Sequence, residues 1–338
     1  MAEASWALAL AALGGLVLTA RTAARLALWL YAAFLRPAKP LRRRYGTWAV
    51  VTGATDGIGR ALAFRLAAAD LGLVLVGRSP DKLATVSAEV EARHPGTQVR
   101  TFVLDFAGDG LARKVGALAE FVAGLDVGVL VNNAGACYPY AKYLHEVDGA
   151  LVRNLIRLNV EAVTRVTHAV LPGMVRRGRG AVVSIGSGAS CVVPSDPLYT
   201  VYAATKAVFY LLHLSYCSAL GKIMSYIEQF SRCLYVEYRS KGIDVQCQVP
   251  MLVATKMASI KTPSLFAPSP DTYAHAAVRH IGYGPRCTPY WAHALLWLLI
   301  SVVPEPIADS MLLNRALNIR AMGRAKYARK RAGLKSQD

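Results

Sequence analysis

A glycine-rich turn between a predicted strand and a predicted helix constrains this fold more than any other part of the sequence. The apolar run 48–52 predicts a strand, and residues 60–69 have the pattern of an amphipathic helix. Between them, Gly53 permits a tight turn, Gly57 lets the backbone approach a pyrophosphate, and Gly59 lets the helix pack closely on the strand. The N-terminus of such a helix offers unpaired N–H groups to an anion. The segment therefore predicts a nucleotide-binding unit.

The alternation of apolar strands and helices continues along the chain. Strands are predicted at residues 48–52, 72–76, 99–104, 127–131 and 181–185, and helices at 60–69, 81–93 and 147–176. Segments that alternate in this way fold as a parallel sheet with helices on both faces. We therefore expect an α/β fold with a doubly wound parallel sheet of Rossmann type. A chain of 338 residues has room for one such domain with appendages.

The end of the second predicted strand bears on the choice of cofactor. In NAD-binding folds a carboxylate at this position bonds the ribose 2′-hydroxyl, whereas an arginine accommodates a 2′-phosphate. Here Arg78 follows the strand and no acidic residue is present. Arg78 therefore predicts NADPH, and the alternative is an ordinary solvated arginine.

Tyr202 and Lys206 are candidates for acid–base chemistry. Four positions apart at the start of a helix, they place a phenol and an ammonium on the same face. A phenol has a pKa of ~10, and a neighbouring cation lowers that pKa by favouring the phenolate. The pair therefore suits proton transfer to a carbonyl or from an alcohol. The alternative is a pair of solvated helix residues, because this spacing is common by chance.

Two further polar features lie near the predicted carboxyl edge of the sheet. Asn159 interrupts the apolar face of the long helix, so its amide must hydrogen-bond a structural neighbour or a water molecule. The fifth predicted strand leads into a segment of small residues with the hydroxyls of Ser184, Ser187 and Ser190. Open α/β sheets bind their ligands at this edge.

Charge and cysteine content limit the classes of partner. The net charge of +18 is concentrated at residues 36–44 and 315–335, and both clusters adjoin apolar stretches in a chain that is 54% hydrophobic. This arrangement favours an anionic membrane surface and not nucleic acid. The six cysteines are scattered without a metal-binding spacing, so we predict reduced packing residues and no metal site.

The N-terminal stretch 4–35 predicts a membrane anchor. It is almost entirely apolar, interrupted by Arg21 and Arg25, which can snorkel to one interface. A secretory signal peptide would carry its positive charge first, whereas here the charge follows the apolar run. We therefore expect a retained anchor. The basic residues 36–44 place the following domain in the cytosol.

Taken together, these motifs resemble those of the short-chain dehydrogenase/reductase superfamily over residues 45–257. The matching motifs, in order, are Thr52-Gly-x-x-x-Gly-Ile-Gly59, Asn132-Asn-Ala-Gly135, Asn159, a serine after the fifth strand and Tyr202-x-x-x-Lys206. More narrowly, residues 138–143, 234–238, 242–250, 253–257 and 287–291 are similar to the plant very-long-chain 3-oxoacyl-CoA reductases of microsomal fatty-acid elongation. Animal relatives of that branch are also described as 17β-hydroxysteroid dehydrogenases.

The resemblance implies a role for each candidate residue. Tyr202 would donate the proton to the 3-oxo oxygen, and Lys206 would lower the pKa of Tyr202 and bond the nicotinamide ribose. Ser187 would hold the carbonyl oxygen, with Ser190 as the alternative, and Asn159 would support a water chain. The implied cofactor contacts are Gly53, Thr55, Asp56, Gly57, Ile58, Gly59, Arg78, Asp105 at the adenine, Asn132, Ala134, Gly135, Tyr202, Lys206, Val253 and Thr255 at the carboxamide.

The implied function is NADPH-dependent reduction of very-long-chain 3-oxoacyl-CoA to 3-hydroxyacyl-CoA. The enzyme would be anchored in the endoplasmic reticulum membrane with its catalytic domain in the cytosol. Its partners would be the condensing enzyme, dehydratase and enoyl reductase of the elongase, and family members commonly form homodimers. A ketosteroid reductase of the 17β-hydroxysteroid type is the alternative, because its chemistry is the same.

One segment departs from the family pattern. Residues 208–225 separate the start of the helix at Tyr202 from the pattern that resumes at Tyr226, which in the family follows almost at once. A loop-out near residues 221–222 would preserve the packing of the sheet. The insert could bind a membrane or a partner, or it could inactivate the enzyme and leave a membrane scaffold.

The sequence predicts four parts. They are an anchor with its basic stop at 1–44, a dehydrogenase core at 45–258, an irregular substrate lid at 259–290 with ordinary histidines, and a membrane-associated segment with a basic tail at 291–338. The apolar run 290–303 is short for a span, so we expect it to lie at the interface.

Overall fold

The computed structural model describes residues 2–190, 192–206 and 226–335. It divides into two compact units, Met1–Ala38 and Lys39–Asp338. The predicted insert at 208–225 lies outside the described residues.

The N-terminal unit is helical. Helix α1 spans Ala2–Leu30 and continues as a π-helical turn over Tyr31–Leu35. Within it, 24 residues from Ala12 to Leu35 are long and apolar enough to cross a membrane, judged by length and composition. The hydroxyls of Thr19 and Thr22 donate to main-chain carbonyls one turn earlier, so both polar groups have a partner within the helix. This unit is the candidate anchor.

The second unit contains a sheet of seven strands, all parallel, in the order β3-β2-β1-β4-β5-β6-β7. The strands are β1 (Trp48–Thr52), β2 (Gly72–Gly77), β3 (Val99–Val103), β4 (Val127–Asn132), β5 (Gly180–Ile185), β6 (Ile243–Gln248) and β7 (Arg286–Cys287). The central strands are buried along almost their whole length because helices cover both faces. The predicted doubly wound parallel sheet is therefore confirmed.

Helices form a layer on each side of this sheet. In chain order they are α2 (Leu41–Tyr45), α3 (Gly57–Ala67), α4 (Pro80–Arg93), α5 (Leu111–Val122), α6 (Gly149–Ile156), α7 (Ala162–Arg177), α8 (Thr200–Lys206), α9 (Tyr226–Tyr238), α10 (Pro270–Arg279), α11 (Trp291–Ser301) and α12 (Glu305–Lys335). One layer contains α3, α4 and α10, and the other contains α5, α7 and α9. The carboxyl ends of the strands thus open at one edge, between the two layers.

The predicted lid at 259–290 contains part of the core. Helix α10 packs its buried residues Tyr273, Ala274 and Ala277 into the same cluster as α3. These three residues have the spacing of one helical face, which the prolines and serines around them obscure. The prediction of an irregular segment is therefore wrong for Pro270–Arg279.

The basic cluster after the anchor is bound to the domain. Lys39 donates to the carbonyl of Gly282, and its ammonium lies 3.7 Å from Asp244. Arg42 donates to the carbonyl of Asp70 at 2.5 Å, and Arg44 lies 3.4 Å from Asp244. Since three of these cations have protein partners, the cluster is not simply a lipid-facing stop. The compact unit begins at residue 39, before the predicted boundary of 45.

The predicted basic tail is helix α12, and it docks on the loops before α6 and α8. Its Ala316 is buried with Ala141 and Leu198. Arg320 pairs with both carboxylate oxygens of Glu146. One face of this predicted membrane-associated helix therefore packs on protein.

Candidate active site

The glycine turn after β1 forms a cradle that side chains would fill. Gly53 and Gly57 have φ values of +65° and +54°, which favour glycine. A Cβ atom at Gly59 would lie 2.2 Å from Nδ2 of Asn133 and 2.3 Å from the Gly53 carbonyl oxygen. Helix α3 begins here, and the Asp56 side chain accepts from the N–H of Gly57 at 2.8 Å. The turn therefore brings backbone N–H groups to the sheet edge, as a pyrophosphate site requires.

Two side chains fix this turn to the end of β4. The Thr52 hydroxyl accepts from the N–H groups of Asn133 and Ala134 at 3.0 and 3.1 Å. The Asn133 amide donates back to the carbonyls of Thr52 and Gly53 at 3.0 and 3.2 Å. Four hydrogen bonds thus join the glycine turn to the motif that follows β4.

The side chain of Asn132, a predicted cofactor contact, faces away from this groove. It is buried, and its Nδ2 donates to the Thr167 hydroxyl on α7 at 2.8 Å. Successive side chains of a strand point to opposite faces, so Asn133 faces the turn and Asn132 faces the helix. The Asn132 amide is therefore a packing group and is not placed to touch a ligand.

Tyr202 and Ser187 meet at the carboxyl edge of the sheet. The Tyr202 hydroxyl donates to Oγ of Ser187 at 3.3 Å. Lys206, one turn further along α8, is buried, and its Nζ donates to the Ile185 carbonyl at 3.3 Å. A Cβ atom at Gly135 would lie 3.6 Å from that Nζ. Three of the predicted groups therefore converge where β5 ends. The side chain of Ser190, the alternative to Ser187, lies outside the described part of the structure.

Asn159 links this cluster to the loop after β4. It lies in a π-helical turn, Arg157–Glu161, between α6 and α7. Its Oδ1 accepts from the N–H of Ala136, and its Nδ2 donates to the Ala136 carbonyl and to the Thr205 hydroxyl, each at 3.0 Å. Such π turns often mark functional sites. Here the turn holds a fully buried amide against the loop and against α8.

Burial dominates the ionisation of the two acid–base candidates. It raises the pKa of Tyr202 well above its ordinary value, and Cys137 and Asp196 raise it further, whereas the hydrogen bond with Ser187 lowers it. Burial also lowers the pKa of Lys206 to about 8. We expected Lys206 to lower the pKa of Tyr202, but in this structure burial raises it instead. The phenol therefore stays protonated at neutral pH.

The remaining predicted cofactor contacts surround the groove unevenly. Thr255 faces the glycine turn, because a Cβ atom at Gly57 would lie 3.3 Å from its methyl group. Arg78 and Asp105 are exposed after β2 and β3. Val253, in contrast, is buried in the core cluster, so that only its main chain could touch a ligand. Thr55, Ile58, Ala134 and Gly135 are half-buried along the groove.

Comparisons with known proteins agree with this geometry. The family profile of the short-chain dehydrogenases matches residues 47–222. A very-long-chain 3-oxoacyl-CoA reductase-like protein of Arabidopsis thaliana is 45% identical, over 87% of this chain and 88% of that protein. The chain belongs to the short-chain dehydrogenase family. The predicted resemblance is therefore confirmed.

Other relatives carry different descriptions. The very-long-chain 3-oxoacyl-CoA reductase of Homo sapiens is 39% identical, over 82% of this chain and 81% of that protein. The inactive hydroxysteroid dehydrogenase-like protein 1 of Homo sapiens is 37% identical, over 83% of this chain and 80% of that protein. A solved short-chain dehydrogenase from Sphingobium yanoikuyae in complex with NADPH is 25% identical, with a TM-score of 0.61, over 77% of this chain and 97% of that one.

The groove of this short-chain dehydrogenase fits a nicotinamide dinucleotide. A Cβ atom at Gly53 would meet the Ala134 backbone at 2.9 Å, so glycine is needed there for the turn to pack on the loop after β4. Thr255 lies beside Gly57, the first residue of α3. Arg78 is exposed directly after β2.

Sequence reasoning missed several residues that shape the site of this dehydrogenase. Asn133 holds the glycine turn, as described above. Tyr138 accepts from the N–H of Val201 at 3.0 Å, near the start of α8, where helix N–H groups lack helical partners. Leu198, just before α8, has a φ of +66°, and its carbonyl accepts from the N–H of Lys142 at 2.9 Å. Asn133 and Tyr138 lie in motifs that the sequence shows, whereas no local pattern marks Leu198.

Proposed function

We propose that this protein reduces very-long-chain 3-oxoacyl-CoA to 3-hydroxyacyl-CoA with NADPH. The observation that carries the proposal is the contact between the hydroxyls of Tyr202 and Ser187, with the buried ammonium of Lys206 one turn away. The similarity to proteins named very-long-chain 3-oxoacyl-CoA reductase supports the choice of substrate.

NADPH would supply the hydride that reaches the 3-oxo carbon. Ser187 would hold the carbonyl oxygen, and Tyr202 would transfer its hydroxyl proton to that oxygen as it gains charge. Lys206 would stabilise the phenolate left on Tyr202 and bond the nicotinamide ribose. Asn159 would fix the Ala136 loop beside them and support the water chain that returns a proton to Tyr202.

The ionisation of Tyr202 favours the direction of reduction. Because burial raises the pKa of Tyr202, the group that meets the substrate at neutral pH is a protonated phenol. A protonated phenol is ready to donate to a ketone, whereas oxidation of an alcohol would need the phenolate first.

The preference for NADPH over NADH rests on Arg78. Its guanidinium would pair with the ribose 2′-phosphate, a charge-assisted contact that NADH does not offer. Arg78→Glu should therefore weaken NADPH binding by about 10- to 100-fold and leave NADH binding the same or improved. Titration of both cofactors against the purified protein measures this ratio.

We further propose that the protein works at the endoplasmic reticulum membrane, anchored by its N-terminal helix, with the condensing enzyme, dehydratase and enoyl reductase of an elongase. The apolar segment Ala12–Leu35 supports the anchor. The chemistry supports a place between the condensing enzyme and the dehydratase, because a condensation produces the 3-oxo group and a dehydration consumes the 3-hydroxy group.

The test is NADPH oxidation by membranes that contain the protein, with a long-chain 3-oxoacyl-CoA as substrate. The wild-type protein should turn over, and Tyr202→Phe should lose about 10²- to 10⁴-fold in rate. Ser187→Ala should lose rate while keeping cofactor affinity. Equal rates in wild type and Tyr202→Phe would rule out the proposal.

Two arms of this test address the alternatives. A ketosteroid added as competitor should not slow acyl-CoA reduction if the acyl-CoA is the preferred substrate. The relative named as inactive and the insert at 208–225 make a scaffold the second candidate. If turnover is absent in the full chain and is restored by deletion of residues 208–225, the insert inactivates this protein.

A further inference from the structure

A buried histidine on helix α11 bonds the chain that leads into the predicted nicotinamide site. His293 is fully buried on a helix that is otherwise almost wholly apolar. Its Nδ1 accepts from the N–H of Met251 at 3.3 Å, and its Nε2 lies 3.0 Å from the Leu252 carbonyl. Because Nδ1 faces a donor and Nε2 faces an acceptor, the proton must be on Nε2. Both partners belong to another segment, more than a helix length away in sequence.

The bonded segment lies between the two halves of the site. Residues 249–252 follow β6, and Thr255, the predicted carboxamide contact, comes three residues later. On the other side, the Pro250 carbonyl accepts from the N–H of Gly188 at 2.7 Å, directly after Ser187. A shift of this segment would therefore move both the nicotinamide contact and the serine loop.

The surroundings keep the imidazole neutral and fixed. The rings of Tyr290 and Tyr273 lie 5.0 and 6.1 Å from it. Burial lowers the pKa of His293 to about 4, although the hydrogen bond to the Leu252 carbonyl acts in the opposite direction. A neutral ring keeps one tautomer, and hence one set of hydrogen bonds, across physiological pH.

We propose that His293 is a positioning residue that sets the nicotinamide-binding segment 251–255 against the active site. The inference rests on the proposed cofactor chemistry and is independent of the acyl substrate. Removal of the imidazole leaves a buried N–H and a buried carbonyl on that segment unpaired. The segment must then move to satisfy them, and the cofactor contact moves with it.

His280 provides a matched control. It is also buried, at 7% exposure, but it directly follows α10, and its Nδ1 bonds the Ala276 carbonyl one turn earlier in that helix. We expect loss of that bond to disturb the end of α10, whereas the bonds of His293 to Met251 and Leu252 stay in place. If His293 positions the segment, its variant should bind NADPH more weakly than the His280 variant. If both histidines are only structural, the two variants should bind NADPH alike.

The experiment uses the full chain purified in detergent and measures the Kd for NADPH and the thermal midpoint in parallel. His293→Leu should weaken NADPH binding by about fivefold to tenfold. His293→Gln should recover part of this loss, because its amide can still donate to the Leu252 carbonyl. His280→Leu should lower the thermal midpoint and leave the Kd within about twofold of wild type.

Equal Kd values for the His293 and His280 variants would overturn the proposal, and so would an absence of NADPH binding in the wild type. If His293→Leu does not fold, His293→Gln is compared with His280→Gln, and a Kd ratio within twofold overturns it. The proposed substrate can be wrong while the role of His293 holds. In that case the protein does not reduce acyl-CoA, but the NADPH Kd still rises in the His293 variant and not in the His280 variant.

Discussion

The carboxyl edge of the sheet and the C-terminal segment 291–335 are both held by polar side chains, but in different ways. At the edge, the side chains of Thr52, Asn133 and Asn159 each make two or more hydrogen bonds to backbone groups at the ends of β1 and β4 or in the loops that follow them. The C-terminal segment is held by separate contacts to distant residues, such as those of His293 and Arg320. The side chains at the edge thus hold neighbouring backbone segments together by several hydrogen bonds each. The C-terminal segment is bonded to the rest of the protein by polar contacts that lie far apart.

This difference has an energetic consequence. A buried network cannot lose one member without leaving partners unpaired, so each loss is expensive. A single contact that water can reach costs little to break. We therefore expect substitutions at the edge to affect stability and catalysis strongly, and substitutions along α12 to affect mainly local order.

The largest expected effect is at Lys206, where catalysis and stability should change in opposite directions. Lys206→Met should lower the reductase rate by at least about 10²-fold. It should also raise the free energy of unfolding at pH 7 by on the order of 1–3 kcal/mol, because a buried ammonium is costly. Reductase assays and urea unfolding of the two proteins measure both effects.

The pH dependence gives the control for Lys206. Its pKa is about 8 in the folded chain and ordinarily 10.5. The cost of the buried charge is therefore fully present below pH 8 and disappears as the pH rises to about 10.5. The stability advantage of the variant should shrink over that range. A variant that is less stable than wild type at pH 7 would contradict the argument.

The next largest effect is at Asn159, which tests the network directly. Asn159→Leu keeps the size of the side chain but leaves the Ala136 N–H and carbonyl and the Thr205 hydroxyl without this partner. We expect a loss of about 3–5 kcal/mol in the free energy of unfolding, measured by urea unfolding. Asn154→Leu, on the exposed face of the preceding helix, is the control. Similar losses in the two variants would mean that the network is not special.

The sequence predicts the edge well because its parts are local. The glycine turn, Tyr202 and Lys206 are each a short pattern with one geometric solution, and the five predicted strands lie within one residue of those observed. A local pattern does not show which of the two adjacent asparagines faces the turn, because this depends on the position of β4 in the sheet. The sequence therefore does not show that the Asn132 side chain faces α7 and that the Asn133 side chain holds the turn.

The C-terminal half was predicted less well for the same reason. Helix α10 has a clear buried face only once α3 lies against it. His293 has a partner only once α11 lies beside the end of β6. A buried histidine and a surface histidine look identical in a sequence, because burial is decided by segments far away along the chain.

His293 is the point in the C-terminal segment that should behave like the edge. Its pKa is about 4 in the folded chain and ordinarily 6.5. The unfolded chain therefore binds a proton that the folded chain rejects, and stability falls as the pH drops from about 6.5 to about 4. We expect this histidine to contribute on the order of 2–3 kcal/mol to that fall. Urea unfolding of His293→Gln should show a shallower pH dependence than wild type, and an identical slope would contradict this.

The smallest expected effect is at Arg320, whose pairing with Glu146 is a polar contact between α12 and the loop before α6. Arg320 lowers the pKa of Glu146 to about 2, so the pair should persist throughout the neutral range and weaken only as the pH falls from about 4.5 towards 2. Arg320→Met should speed amide exchange in residues 138–146 by about threefold to tenfold at pH 7, measured by mass spectrometry. Arg324→Met removes an exposed arginine one turn along the same helix and should leave that exchange unchanged. If the two variants exchange alike, the C-terminal helix is held by its apolar face, and the separate polar contacts contribute nothing to the order of the loop.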